Sequence, residues 1–389
     1  MRLPSAEALR ELVGWEAPHG VLSLYVEFDP GDRGGGWKIA AKDALDEAVE
    51  SADVADRDHA LALRATAARV RERIEDAPPP SGRMQIGFVG CAAKHAREAR
   101  EEWFSVQYPV ERTRVTYGQG PNVRRLAEII DDGRARGVVV LSSERVRLFE
   151  WHFGELTELP ERDLELIAAE WRERKAPQMR DPASGQAVSS AGRDQHDQRL
   201  DQHRKRFLKI SAGAARDALA DEATDEVVCI GEGGLCETFL AGWEPRPKRV
   251  SVDPVAVIAE PASVLAERAT AKLVEADGQR DAELVERALD AAAAGGQGAV
   301  GIAGTAQALA RAQVDRLLID ADRELPADGI SDSLRAELEA VKPLPAGRLD
   351  EWIVEEAIRT SAAITALRGR PAEALGEHGG VAALLRYQP

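Results

Sequence analysis

Cysteine is scarce: Cys91, Cys229 and Cys236 are the whole complement of a 389-residue chain. No two of them make a CxxC pair. That excludes a zinc-type ligand set and a disulfide framework, so a reducing interior and no metal are expected. Long apolar runs are missing too. None approaches the roughly 18–20 residues needed to cross a bilayer, so no membrane partner is expected. The opening stretch MRLPSAEALRELVGW carries charge throughout and has no apolar core of a secretion signal; a cytoplasmic location follows as an expectation. Aromatic residues are only 5% of the chain, and Ala, Arg, Asp and Glu dominate instead.

What is present describes a globular protein, with 44% hydrophobic and 30% charged residues. The length exceeds one ordinary core, and two or three domains are expected. The net charge is −16, yet residues 172–209 hold ten Lys or Arg against five Asp or Glu, a local balance of +5. A basic arm on an acidic body suits a protein that touches a polyanion at one place and avoids it elsewhere. The plain alternative is a solvated loop followed by an amphipathic helix.

The pattern along the chain alternates helix and strand, which argues for α/β layers. The first region reads as a helix at 5–14, a strand at 21–28, helices at 37–51 and 57–76, strands at 85–90 and 111–118, and a helix over 121–133 opened by Pro121. A hairpin follows over 137–159, with turns at Ser143-Glu144 and Phe153-Gly154, and then a helix at 161–175 that would bury Leu164, Ile167 and Trp171. After the arm, EVVCIG (226–231) reads as a buried strand leading through a glycine turn into a helix. Pro245 and Pro247 mark a boundary near 250. The last region reads as an extended stretch at 250–258, helices at 261–276 and 281–294, a strand at 299–302, a helix at 304–312, a strand at 314–320 and a helix at 349–360. AITALRG and VAALLRY close the chain. The expected domains are therefore 1–135, 136–250 and 251–389.

The stretch from Met179 to Lys209 is the most informative. Its first half is rich in Gly, Ser and Ala, and loops of that length inside compact domains are usually functional or disordered. Its second half has helical spacing, with Asp194 placed as N-cap and Asp197 completing a partial capping box. Leu200, His203, Phe207, Ile210 and Ala214 form the expected apolar stripe. Gln195, Arg199, Gln202, Arg206 and Lys209 repeat on a second, mostly cationic face. His203 thus reads as a core or hydrogen-bonded residue rather than a catalytic one, and His196 as either solvated or an RNA contact. Trp151, Trp171 and Trp243 read as core. Gly231-Glu232-Gly233-Gly234 hints at a phosphate loop but lacks GxGxxG spacing.

The motifs GAVGIAGTAQALARAQVDRLLID, LDEWIVEEAIRTSAAITAL and the terminal GGVAALLRY resemble, in order and spacing, the C-terminal domain of the archaeal/eukaryotic peptide-chain release factor and Pelota superfamily. The hairpin at 137–159 resembles the start of that superfamily's central domain, and VLSLYVEFD resembles the opening strand of its bacterial branch, which includes Vms-like release factors and Balon-like members. The resemblance implies an α/β, three-domain release-factor-like architecture, with a mixed-sheet central domain and an L30e-like α/β C-terminal domain.

In release factors the central loop carries Gly-Gly-Gln, placed beside the ester bond of peptidyl-tRNA, and Vms-like members use Gly-x-x-Gln. The matching positions here are Gly192 and Gln195, with Gly185 and Gln186 as a second candidate. Gly192 would allow close approach and Gln195 would orient a water. Arg193, Arg199, Gln202, Arg204, Lys205, Arg206 and Lys209 would meet rRNA or tRNA phosphates. The literal Gly295-Gly296-Gln297 has no basic helix behind it and reads as a turn. The decoding motifs of eukaryotic-type factors are absent from the first region, so stop-codon reading is not expected. The resemblance thus implies peptidyl-tRNA hydrolysis on stalled ribosomes or large subunits. The alternative is a non-catalytic hibernation or rescue factor that occupies the peptidyl transferase centre. The expected partners are the ribosome and a translational GTPase; the chain is expected to be monomeric and to use no cofactor.

Overall fold

The computed structural model describes residues 3–29, 35–52, 54, 56–78, 82–92, 99–108, 112–160, 190–327, 330–344 and 348–387, with only the backbone for 190–201. The described residues form a mixed α/β protein with three sheets. Two compact units account for it: one is Met1–Gly133 with Gly278–Pro389, the other Arg134–Asp277.

The first unit opens with α1 (Ala6–Val13), capped by Ser5, whose hydroxyl accepts from Ala8. β1 (Val21–Glu27) is followed by α2 (Gly36–Ser51), α3 (Arg57–Asp76), β2 (Met84–Gly90), β3 (Glu101–Val106), β4 (Arg114–Gly118) and α4 (Arg124–Asp132). The strands form one antiparallel sheet in the order β3-β2-β1-β4. Leu22, Leu24 and Val26 of β1 bury one sheet face against Trp37, Ala41 and Leu45 of α2 and Leu63, Ala67 and Val70 of α3. On the other face, Ser23 accepts a hydrogen bond from the Asn122 amide (2.8 Å), and the Tyr25 hydroxyl donates to the Asn122 carbonyl (2.7 Å). These bonds pin Asn122 outside the helix. They explain why α4 begins at Arg124 rather than at Pro121, where its proline was expected to start it.

The central unit begins with β5 (Arg136–Leu141), β6 (Val146–His152) and β7 (Glu155–Glu158), a meander whose second turn places Phe153 and Gly154 at positive φ. The helix expected at 161–175, with Leu164, Ile167 and Trp171, lies outside the described residues. Next come α5 (Ser190–Ala218), β8 (Glu226–Ile230), α6 (Gly233–Leu240) and β9 (Arg249–Asp253). β5, β8 and β9 run parallel, giving a mixed sheet in the order β7-β6-β5-β8-β9 that extends past residue 250. One face packs on α5 and α6 through Val139, Leu148, Val227 and Cys229. The other packs through Val138, Val140, Phe149 and Trp151 on Leu265, Ala269 and Leu273 of α7 (Ala262–Ala293).

A single helix, α7, replaces the two expected at 261–276 and 281–294. Gly278 costs an interior helix about 1 kcal/mol, which its flanks offset: Asp277 accepts from Arg136 at 2.8 Å, and Arg280 binds Asp281.

The rest of the chain returns to the first unit. β10 (Gly298–Val300), α8 (Gly301–Ala310), β11 (Val314–Asp320), α9 (Asp332–Val341), α10 (Leu349–Arg359), β12 (Ala363–Leu367), α11 (Arg370–Gly376) and β13 (Val381–Leu385) complete it. The sheet order is β10-β13-β11-β12, with β11 and β12 parallel. Leu318, Leu367, Ala382 and Leu384 bury against Leu284, Val285 and Ala288 of α7. Gly379 and Gly380 both sit at positive φ before β13; a Cβ on Gly380 would lie 2.6 Å from Arg323 Cδ. That geometry accounts for the paired glycine of the closing motif. Gln297 is part of the same frame. Its side chain donates to the Arg386 carbonyl (3.3 Å) and its carbonyl accepts from Leu385 (3.0 Å), so Gly295-Gly296-Gln297 is a structural turn.

Candidate nucleic-acid interface

The surface that answers to the basic arm is the exposed side of α5. Phe207, Leu208, Ser211, Ala212, Ala215 and Leu219 of this helix are buried, and five of the six join the core cluster on the sheet. Gly242 makes the fit close: a Cβ there would lie 2.5 Å from the Lys209 carbonyl. The buried row differs from the expected stripe. His203 is exposed and Ile210 is 45% exposed, because Ser211 and Ala212 occupy the inward side. His203 is therefore not a core residue.

With that side committed to the core, Gln202, Lys205, Arg206 and Lys209 are exposed, and Arg204 is half-buried. Gln202, Lys205, Arg206, Lys209 and Ile210 line an open depression of about 580 Å³. They recur at helical spacing and span about 12 Å along the axis. From Gln202 to Ile210 there are four cations and no acid, within a chain of net charge −16. Such a face attracts a polyanion through sequence-neutral phosphate contacts. The exposed aliphatic Ile210 was not foreseen, and no charge pattern marks it.

The helix spans Ser190–Ala218, so Asp194 lies inside it and is not its N-cap. Gly192, Arg193, Gln195 and Arg199 are in helical backbone; their side chains lie outside the described residues, as do Gly185 and Gln186 entirely. Among the described residues, no group of three or more His, Cys, Asp or Glu is placed to hold a metal ion, and no helix is long and apolar enough to cross a membrane.

A second polar cluster in this unit is structural. Arg136 stacks on Trp151 with its guanidinium carbon 5.0 Å from the ring centre, and bonds Glu226 and Asp277. Burial alone would raise the Glu226 carboxyl; Arg134 and Arg136 outweigh it and hold the group below its usual range.

Residues 121–273, which contain this whole interface, match bacterial archaeo-eukaryotic release factor family 10. That match spans 153 of the 389 residues, and over it the chain is similar to a release-factor family. Solved structures with similar chains include an archaeal translation termination factor, aRF1, at 17% identity, covering 99% of each chain with a TM-score of 0.24. Pelota from Archaeoglobus fulgidus is 12% identical over 100% of this chain and 94% of its own, with a TM-score of 0.34. Dom34 from S. cerevisiae, a translation termination-like factor, is 12% identical over 79% of this chain and 81% of its own, with a TM-score of 0.40. No curated protein matches the chain.

Proposed function

We propose that this release-factor-like protein binds the ribosome through the cationic face of α5 and presents residues 179–195 to peptidyl-tRNA. Gln195 orients a water against the ester carbonyl, and Gly192 permits close approach. Gly185 and Gln186 are the second pair for the same role. One observation supports the reading above others: the exposed cations Lys205, Arg206 and Lys209 lie on the same continuous helix as Gln195. rRNA and tRNA phosphates are the partners of that face, and a translational GTPase is the proposed delivery partner.

A second reading, a factor that fills the peptidyl transferase centre without chemistry, is favoured by the helical backbone at Gly192–Gln195. A release-factor glutamine works from a loop. Stalled large subunits carrying labelled peptidyl-tRNA separate the two. Release that is lost in Gln195→Ala and kept in Gln186→Ala supports hydrolysis at Gln195. Tight binding without release by the unaltered protein overturns hydrolysis and leaves the blocking role.

A further inference from the structure

The glycine turn at Gly231–Gly234 borders a crevice that the cationic face of α5 does not use. β5, β8 and β9 run parallel, and their carboxyl ends meet at Leu141, Ile230 and Asp253. The ends are drawn together at Gly231, whose amide donates to the Asp253 carbonyl (3.0 Å) and where a Cβ would lie 3.0 Å from Leu141. Residues 256–260, just before α7, line the space beside Leu141 at these ends. Clefts outside the carboxyl ends of parallel strands are favoured places for ligands in α/β sheets.

Here the cleft measures about 230 Å³, with Leu141, Leu235, Val257 and Ile258 among its lining residues and Glu232 and Glu260 beside them. One side is fixed in place: Arg147 donates to the carbonyls of Ile258 (3.2 Å) and Glu260 (2.6 Å). The Arg147 charge is itself matched by Glu158, at 2.7 and 2.9 Å.

Three features select the guest. Glu232 immediately precedes α6, so a carboxylate of the chain already supplies the negative charge favoured at a helix start. Glu260 adds a second. Both are exposed, and a phosphate would be repelled. The volume is below the ~300–1,000 Å³ of small-molecule sites. Apolar walls with carboxylates beside them fit a long cationic side chain, whose stem packs on the walls while its head stays in water.

We propose that this crevice docks a lysine-bearing, apolar-flanked peptide segment of a partner protein. Charge complementarity selects that occupant, and the proposal does not depend on peptidyl-tRNA hydrolysis. The test is fluorescence anisotropy of the full chain with a labelled heptapeptide alternating leucine and lysine, beside a peptide with glutamate in place of lysine, at about 100 mM salt. The lysine peptide is expected to bind and the glutamate peptide not to. Glu232→Gln with Glu260→Gln, and separately Ala256→Trp to fill the cleft, should each weaken binding about tenfold. Glu286→Gln with Glu373→Gln removes the same charge elsewhere and should change nothing. Equal binding of both peptides, equal weakening by the charge control, or unchanged binding in the double carboxamide variant would overturn the proposal. The double variant keeps the side-chain volumes, so it decides the matter even where the tryptophan variant fails to fold.

Discussion

Arg124 on α4 and Asp350 on α10 form a buried ion pair across a separation of 226 residues. Arg124 also donates to Glu128 (3.2 Å) and to the carbonyls of Asp320 (2.9 Å), Ala321 (3.0 Å) and Arg323 (2.9 Å). Nearby, Asn122 donates to Glu351 at 2.7 Å. The early and late parts of the chain therefore share one polar seam within the first unit.

The seam predicts an order of damage. Asp350→Asn leaves Arg124 with its carbonyl partners and should cost about 3 kcal/mol. Arg124→Met strands three carbonyls and leaves Asp350 with Arg348 alone; it should cost more, since each buried orphan adds about 1–3 kcal/mol. Urea denaturation of the full chain measures both. A milder effect of Arg124→Met would show that the seam is not what joins these elements.

The same seam predicts opposite pH trends for neighbouring carboxylates. Burial pushes the Glu351 carboxyl up from 4.5. Burial would raise Asp350 too, but the hydrogen bond from Arg348 and the charge of Arg124 hold it below 3.8. A raised carboxyl stabilises below its unfolded pKa, and that contribution is lost as pH rises through the folded value. A lowered one stabilises above its unfolded pKa, and that contribution is lost as pH falls through the folded value. Glu351→Gln should thus become less costly as pH rises above about 4.5, and Asp350→Asn less costly as pH falls below about 3.8. Denaturation midpoints at about pH 3, 4 and 7 decide; a Glu351→Gln cost that rises from pH 4 to 7, or an Asp350→Asn cost that rises from pH 4 to 3, would contradict the assignment.

Gly380 offers a backbone test. Alanine there must hold φ near +77° and crowd Arg323 and Asp320; a loss of about 1–2 kcal/mol is expected. Gly213, inside α5 with open space around it, should tolerate alanine with a gain of about 0.5–1 kcal/mol. Thermal melting of the two variants should move in opposite directions.

Local pattern carried much of this fold. The alternation in VLSLYVEF and the turn residues Phe153-Gly154 located β1 and the meander because those signals lie within a few residues. β3 escaped notice: it opens on two glutamates, and its stabilising contact, Trp103 lying over Gly87, comes from the neighbouring strand. The α5 stripe was misphased because Ser211 and Ala212 are buried without being strongly apolar. The Arg124–Asp350 pair was invisible, since periodicity says nothing about partners so far apart. At the interface, the cations 204–209 were readable from composition alone. Which side they face depends on the close approach at Gly242.

The cationic face makes a quantitative prediction. If Lys205, Arg206 and Lys209 each meet a phosphate, each replacement by alanine should reduce the slope of log K against log salt by about 0.7–0.9. The changes should accumulate in the triple variant, while Gln202→Ala should leave the slope unchanged. Arg199→Ala combined with Arg206→Ala extends the measurement toward the arm and should lower the slope further than Arg206→Ala alone. Binding to purified ribosomes over a series of potassium chloride concentrations gives these slopes directly. A triple variant that binds more weakly but with the unaltered slope would mean that these side chains do not neutralise phosphates, and the face would have to be reassigned to a protein partner.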